Sequence, residues 1–294
     1  YRATLPLAAV RSLSRRAGVR HVSLDETVRA SGWARPVGYG GPADHTARAV
    51  GADVLAPFAS PQDEPAIAVL DTGVAPVPGL RLVGWFDAVK GLPSPYDDGG
   101  HGTHVAGIAA GEPGRDGTFS GTCPGAAVVG VKVLNAASQG LASDVIRGID
   151  WCIARRCDLG IGVINLSLGQ TVTQSWRTDP LCRAVGRAVA AGIVVVAAAG
   201  NQGDGYGGVE CPGNSPAAIT VGAMRTMGTP LRSDDRIASF SSRGPTAYDG
   251  MAKPDLLAPG NRVVSLRAPG SLLDTMHPEN RVLDGGRGLA PSRY

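Results

Sequence analysis

Three side chains stand where their types and surroundings suit chemistry. His101 lies in Gly99-Gly100-His101-Gly102-Thr103-His104, crowded by glycine on both sides. Val105, Ile108 and Ala109 follow at helical spacing, which predicts a helix over 101–111. A ring on the first turn of a buried helix is held firmly and still faces a cleft, and small neighbours admit a substrate backbone. An unperturbed imidazole titrates near pH ~6.5, which suits a general base. Asp71 closes the apolar run Ala66-Ile67-Ala68-Val69-Leu70 and precedes Thr72-Gly73. Asn201 follows a second apolar run, 193–199, and Gly200. Taken singly, these residues pass for a packing histidine, a turn aspartate and a turn asparagine. Together, at strand ends and a helix start, they suit one cleft at the carboxyl edge of a parallel sheet.

The elements that must position them follow from periodicity. Short apolar runs predict strands at 66–70, 127–133, 161–166, 193–199 and 218–222, and helical patterns cover 101–111, 142–155 and 181–191. This alternation predicts an α/β fold, a three-layer parallel sheet with helices on both faces. Right-handed crossovers place the strand ends on one side. The Gly- and Pro-rich stretches 112–125, 200–216 and 243–250 are expected to be loops, some of them around the cleft. At 294 residues the chain has room for one large domain and an appendage.

At this point the sequence resembles the subtilisin-like serine proteases (peptidase S8). AVLDTGV (68–74) is similar to the family's aspartate motif, and HGTHVAGIAAG (101–111) to its histidine motif. VINLSLG (163–169) resembles the strand lining the substrate cleft, and AAAGN (197–201) the segment with the oxyanion-hole asparagine. ASFSSRGP (238–245) and KPDLLAPG (253–260) resemble the segments leading towards the nucleophile. The resemblance spans roughly residues 62–283 and keeps the family's motif order, acid before histidine before serine. One motif departs: no Gly-Thr-Ser-x-Ala follows the APG segment, and Ser271 and Ser292 lack its neighbours. The expectation is a chain that stops before the serine, or whose last residues are out of frame with it, and that is inactive by itself.

The resemblance implies a serine-type endopeptidase acting on protein or peptide substrates through an acyl-enzyme. A serine hydroxyl is a weak nucleophile until a histidine takes its proton, and an acid on the other ring nitrogen fixes the tautomer. Asp71 would orient, His101 would shuttle protons and Asn201 would donate to the oxyanion without titrating. Ser167, Leu168 and Gly169 would pair with substrate backbone as an extra strand, giving affinity without side-chain choice. Asp97 and Asp98, in a Gly-rich loop, are read as solvated, His104 as a packing residue and Asn214 as a turn residue. The alternative is a catalytically inactive, protease-like peptide-binding protein. An α/β-hydrolase esterase would need a Gly-x-Ser-x-Gly elbow, which this sequence lacks.

The remaining features bound partners and surroundings. Residues 1–36 carry seven arginines against Asp25 and Glu26, so the arm is +5 and the rest of the +3 chain is −2. With no nucleic-acid-binding fold to present those charges, no nucleic-acid partner is expected. Arg15 to Asp25 is similar to the tail of the family's propeptide, an intramolecular inhibitor, with cleavage somewhere after residue 25. The expected division is a propeptide remnant over 1–30, a linker and start of the mature enzyme over 31–61, and a catalytic domain over 62–294, incomplete at its C-terminus. The apolar run near 188–199 is too short to span a bilayer, so no membrane partner is expected. The sequence begins at Tyr1 with no signal peptide, as a fragment of a secreted protein would. Of the cysteines 123, 152, 157, 182 and 211, none has metal-ligand spacing with histidine. Cys152–Cys157 and Cys182–Cys211 are candidate disulfides, with free buried thiols as the alternative. Asp116 to Gly121 holds one acid, so no calcium site is expected there, and no metal or cofactor elsewhere.

Overall fold

The segments AIAVLD, AVVGVK, IGVINL and VVVAA are rich in β-branched residues, which suit a pleated sheet covered on both faces. The computed structural model describes residues 2–16, 18–19, 21–31, 46–55, 64–113 and 119–282. The order is α1 (Leu7–Leu13), β1 (Thr27–Ala30), α2 (Thr46–Ala49), α3 (Ala52–Leu55), β2 (Ala66–Asp71), β3 (Arg81–Asp87), α4 (His101–Ala110), β4 (Ala127–Lys132) and β5 (Gln139–Leu141). It continues with α5 (Ala142–Leu159), β6 (Ile161–Leu166), β7 (Leu168–Gly169), α6 (Pro180–Ala190), β8 (Val194–Ala198), β9 (Ile219–Arg225), β10 (Arg236–Ile237), β11 (Leu256–Pro259) and α7 (Leu272–Met276).

The main sheet runs β10-β9-β8-β6-β2-β4-β3, with β11 also on β9, and every pair but β9–β10 is parallel. Alternate side chains of β2 face opposite layers. Leu70 packs with Val145 and Ile149 of α5 and Val185 of α6 in one cluster, while Val69 packs with Ala106 and Ala110 of α4 in the other. Each such buried Val, Leu or Ile contributes ~1.5–3 kcal/mol, which holds the three layers together. Helix cover is uneven: Val194, Ile219, Leu256 and Leu257, towards the β9 end, are exposed.

Helix ends follow their own chemistry. The Asp179 side chain caps α6 by accepting the Cys182 N–H at 2.8 Å, with Pro180 in the first turn. Helix α5 runs past the expected residue 155 to Leu159, because Arg155, Arg156 and Asp158 disguise its last turn. Gly160, at φ 63°, then stops it. Strand β9 likewise outruns its expected end by extending to Arg225. Strand β3 escaped the apolar-run search because it borders the sheet and is half-buried along most of its length. Short β1 pairs antiparallel with β5 and β7, partners visible only once the chain folds. Of the expected linker, only Ser31 and residues 46–55, which hold α2 and α3, are described.

Candidate active site

Strand β2 delivers Asp71 at its carboxyl end, and α4 begins at His101 beside it. Asp71 is fully buried, and the Thr72 N–H donates to its Oδ1 at 2.7 Å. The Val133 and Leu134 amides donate to its main-chain oxygen, fixing the strand end. The His101 Nδ1 lies 2.8 Å from Asp71 Oδ1 and 2.9 Å from Oδ2. This close approach depends on glycine. A Cβ at Gly102 would strike the Gly73 carbonyl oxygen and touch the Asp71 Cβ at 3.0 Å. Gly100, just before the helix, sits at φ 102°, where an L side chain is strained.

Asp97 and Asp98 correct the solvated reading. Asp97 is buried and accepts five hydrogen bonds. Its Oδ1 takes Thr72 Oγ1, Gly99 N–H and Gly100 N–H, and its Oδ2 takes Thr103 N–H and Oγ1. It therefore knots the loop before α4 to the turn after β2. Asp98 pairs with the fully buried Lys132 at 2.6 Å and with Lys90 at 3.2 Å. Burial works against its ionisation, but the two lysines hold its carboxyl below the usual range. Lys132 also donates to the Thr72 carbonyl at 2.5 Å and lies 4.9 Å from the Tyr96 ring centroid. Sequence reasoning missed this support because buried lysines and loop aspartates look alike in one dimension.

The N-terminal arm lies along Ser167, Leu168 and Gly169. Arg29 pairs with Gly169 and Ala30 with Leu168, and the Ser31 N–H donates to the Ser167 carbonyl at 2.8 Å. On its other edge the arm pairs with 139–141. Val28 is fully buried, packed in the cluster that contains Leu134 and Leu168. Asp25 accepts from the Ser143 N–H and Oγ at the start of α5. The chain then brings the Ser31 carbonyl oxygen 2.9 Å from His101 Nε2. Both ring nitrogens thus face acceptors, an arrangement that suits imidazolium. Burial pulls the His101 pKa down, and Asp71, the Ser31 carbonyl and Asp97 together leave it above the ordinary histidine value.

Asn201 stands exposed just beyond β8, after Gly200 at φ 104°. The Gly200 carbonyl accepts from Ser242, and the Ser242 hydroxyl accepts the Gln202 N–H, so the turn is braced on both sides of Asn201. Parallel neighbours β6 and β8 put the 167–169 and 199–201 segments on one sheet edge. The Glu210 side chain lies between them: a Cβ on Gly169 would come within 2.5 Å of its Oε2, and one on Gly200 within 2.6 Å. Burial raises the Glu210 carboxyl pKa, opposed by the hydrogen bond from Gln202. Nothing in the sequence marked Glu210 as part of this wall.

Other candidates resolve as follows. His104 Nε2 lies 3.1 Å from the Val263 carbonyl, an internal bond as expected. Ser271 caps α7, its hydroxyl accepting the Asp274 N–H, which agrees with withholding the nucleophile role from it. All five cysteines are free. Cys152 and Cys157 share α5, one buried and one exposed, whereas the Cys182 and Cys211 sulfurs lie 3.6 Å apart. Residues 116–118 of the calcium stretch and Ser292 fall outside the described residues. Among the described residues, no helix is long and apolar enough to cross a membrane.

The profile of the subtilase family, Peptidase S8, matches residues 62–288. Serine protease AprX of Bacillus subtilis is 45% identical over 224 residues, covering 74% of this chain and 50% of that protein. Subtilisin E of the same organism is 35% identical over 272 residues, covering 90% of this chain and 62% of that protein. The chain thus spans about half to three fifths of these relatives. The crystal structure of a cold adapted subtilisin-like serine proteinase superposes with a TM-score of 0.55 at 31% identity, over 70% of this chain and 66% of that one. By its profile match, its relatives and its fold, the chain belongs to the subtilase family.

Proposed function

We propose that the whole protein is a serine endopeptidase that uses Asp71, His101 and Asn201 with a serine in a segment these 294 residues do not contain. Asp71 holds Nδ1–H and turns Nε2 to the cleft. There Nε2 takes the serine proton during attack and returns it to the leaving amine. Asn201 donates to the oxyanion. Protein or peptide backbone lies along 167–169, as the arm does, and the activity is exerted outside the cell. The present chain alone is inactive.

The arm is read as the inhibitory propeptide. Ser31, whose N–H bonds the Ser167 carbonyl, presents its own carbonyl to His101 Nε2, which supports cleavage of the Ser31–Gly32 bond. That observation, a strand paired along 168–169 that brings a carbonyl to the histidine of an Asp–His pair, carries the reading.

The test is fluorophosphonate labelling of the protein bearing its serine segment, with N-terminal sequencing of the mature form. Wild type should label and begin at Gly32, and His101→Ala should do neither. Wild-type labelling of His101→Ala would sink the assignment. A wild type that binds peptides but never labels would favour the peptide-binding alternative, which the missing Gly-Thr-Ser-x-Ala motif keeps in view.

A further inference from the structure

Four donor atoms converge away from the cleft, where α6 begins. Cys182 lies in the first turn of α6, Asp179 caps that helix, and Cys211 and Asn214 come from the turn before β9. All four residues are buried, none more than 4% exposed. The Cys182 and Cys211 sulfurs are 3.6 Å apart. Cys182 Sγ lies 3.2 Å from Asn214 Oδ1, and Cys211 Sγ lies 3.3 Å from Asp179 Oδ1. The Asn214 Nδ2 has no partner although the side chain is wholly buried.

We propose that Asp179, Cys182, Cys211 and Asn214 form a structural site for one tetrahedral thiolate-preferring divalent cation, of which zinc is the natural choice. Zinc–sulfur bonds of ~2.3 Å and zinc–oxygen bonds of ~2.0–2.2 Å set tetrahedral edges of ~3.8 Å between sulfurs and ~3.5 Å between sulfur and oxygen. The observed separations sit close to those edges. Both cysteines are free thiols, available as ligands. A disulfide would draw the Cys182 hydrogen away from Asn214 and leave that buried amide with neither oxygen nor nitrogen paired. Ligation through Oδ1 gives the asparagine a strong partner instead. Two thiolates, a carboxylate and the cation sum to −1, and the positive end of α6 offsets this charge. The Cys182 N–H donating to Asp179 supplies an outer-shell bond that orients the ligand.

Binding is written as two thiols plus one divalent cation giving two metal–thiolate bonds and two protons, with no oxidation. Metal uptake therefore releases protons and weakens as pH falls.

The experiment refolds the full chain from reduced denaturant with zinc, removes loose metal on a chelating column, and counts metal per chain by mass spectrometry. One equivalent is expected in wild type and in Cys123→Ser and Cys152→Ser. Less than a tenth of an equivalent is expected in Cys182→Ser and Cys211→Ser. Cobalt uptake by wild type should give the thiolate charge-transfer and intense visible bands of a tetrahedral site, with about two protons released per ion. X-ray absorption on wild type removes any dependence on the variants folding, and should show two sulfur neighbours at ~2.3 Å. Wild type without bound metal overturns the proposal, whether its Cys182 and Cys211 are then alkylated as free thiols or recovered as a disulfide-linked peptide pair. So does metal with no sulfur neighbour. None of these readouts needs catalysis, so the peptidase reading stands or falls separately.

Discussion

Asp71 and Asp179 are both buried carboxylates at the ends of secondary-structure elements, and their surroundings diverge. Around Asp71 the oxygens have protein partners, while the far ring nitrogen, His101 Nε2, meets the carbonyl of the docked arm. Around Asp179 the partners are the Cys182 N–H and the Cys211 thiol, and neighbouring Asn214 keeps its oxygen on the Cys182 thiol while its nitrogen has no partner. A polar cluster at an opening can leave one position for what enters. A polar cluster sealed in the interior has no such outlet, and its oxygens and sulfurs can be shared only with one another or with a resident ion.

The largest expected effect breaks the first cluster. Asp71→Asn in the protein bearing its serine segment should lower kcat/KM for a peptide substrate on the order of 10⁴-fold, because the amide favours the wrong imidazole tautomer. A loss under tenfold would remove Asp71 from the orienting role. Next is Asp97→Ala, which strands five donors in a buried loop. About 3 kcal/mol of stability should be lost, read from the urea midpoint at constant m-value. No change in midpoint would return Asp97 to the solvated status its loop position suggested.

How each cluster showed in the sequence follows from how its parts are spaced. Asp71, His101 and Asn201 each end or begin an element built on a local apolar pattern, so period and punctuation located them before any contact was known. The main strands were visible for the same reason, being near-continuous Val, Ile and Ala runs. Strand β1 was not, since TVRA becomes a strand only between β5 and β7. Asp97 resembled a solvated loop residue because the contact that locks it to the core, from Thr72, comes from a separate stretch of chain. Cys182 and Cys211 were paired only as a disulfide candidate, since Asp179 and Asn214 join them through tertiary packing alone. Expected helix and strand ends slipped where polar residues continued an element, as in the last turn of α5.

Two smaller perturbations sharpen the contrast. Val28→Ala in a synthetic arm peptide should weaken its binding to protein lacking the arm by about 2 kcal/mol, near 30-fold, as apolar burial is lost. Fluorescence anisotropy measures this, and unchanged affinity would mean that the arm is held by its backbone alone. In the sealed cluster, Asn214→Ala measured without metal should shift stability by less than about 1 kcal/mol, since its oxygen is held only by a weak thiol donor and its unpartnered nitrogen leaves with the side chain. A loss of several kcal/mol by urea denaturation would show that the asparagine is already well satisfied by the thiols.

The gentlest probe is pH, and it acts on the open cluster. With the arm in place both nitrogens of His101 face oxygen acceptors, so the docked state favours the protonated ring and its pKa lies above the ordinary value. Without the arm, Nε2 loses the Ser31 carbonyl, and the neutral ring no longer sets a lone pair against it. By linkage, a group whose pKa is higher in the bound state strengthens binding below its free pKa. That advantage disappears as pH rises through the bound one. Affinity for an acetylated peptide spanning residues 22–31, which leaves out His21, should therefore fall as pH rises through the titration of His101 and then level off. His101→Ala should give a flat profile over the same range. If wild type and variant rise or fall in parallel, the protonated His101–Ser31 contact does not hold the arm, and the docked strand must be kept by Val28, Asp25 and the backbone ladders on its two sides.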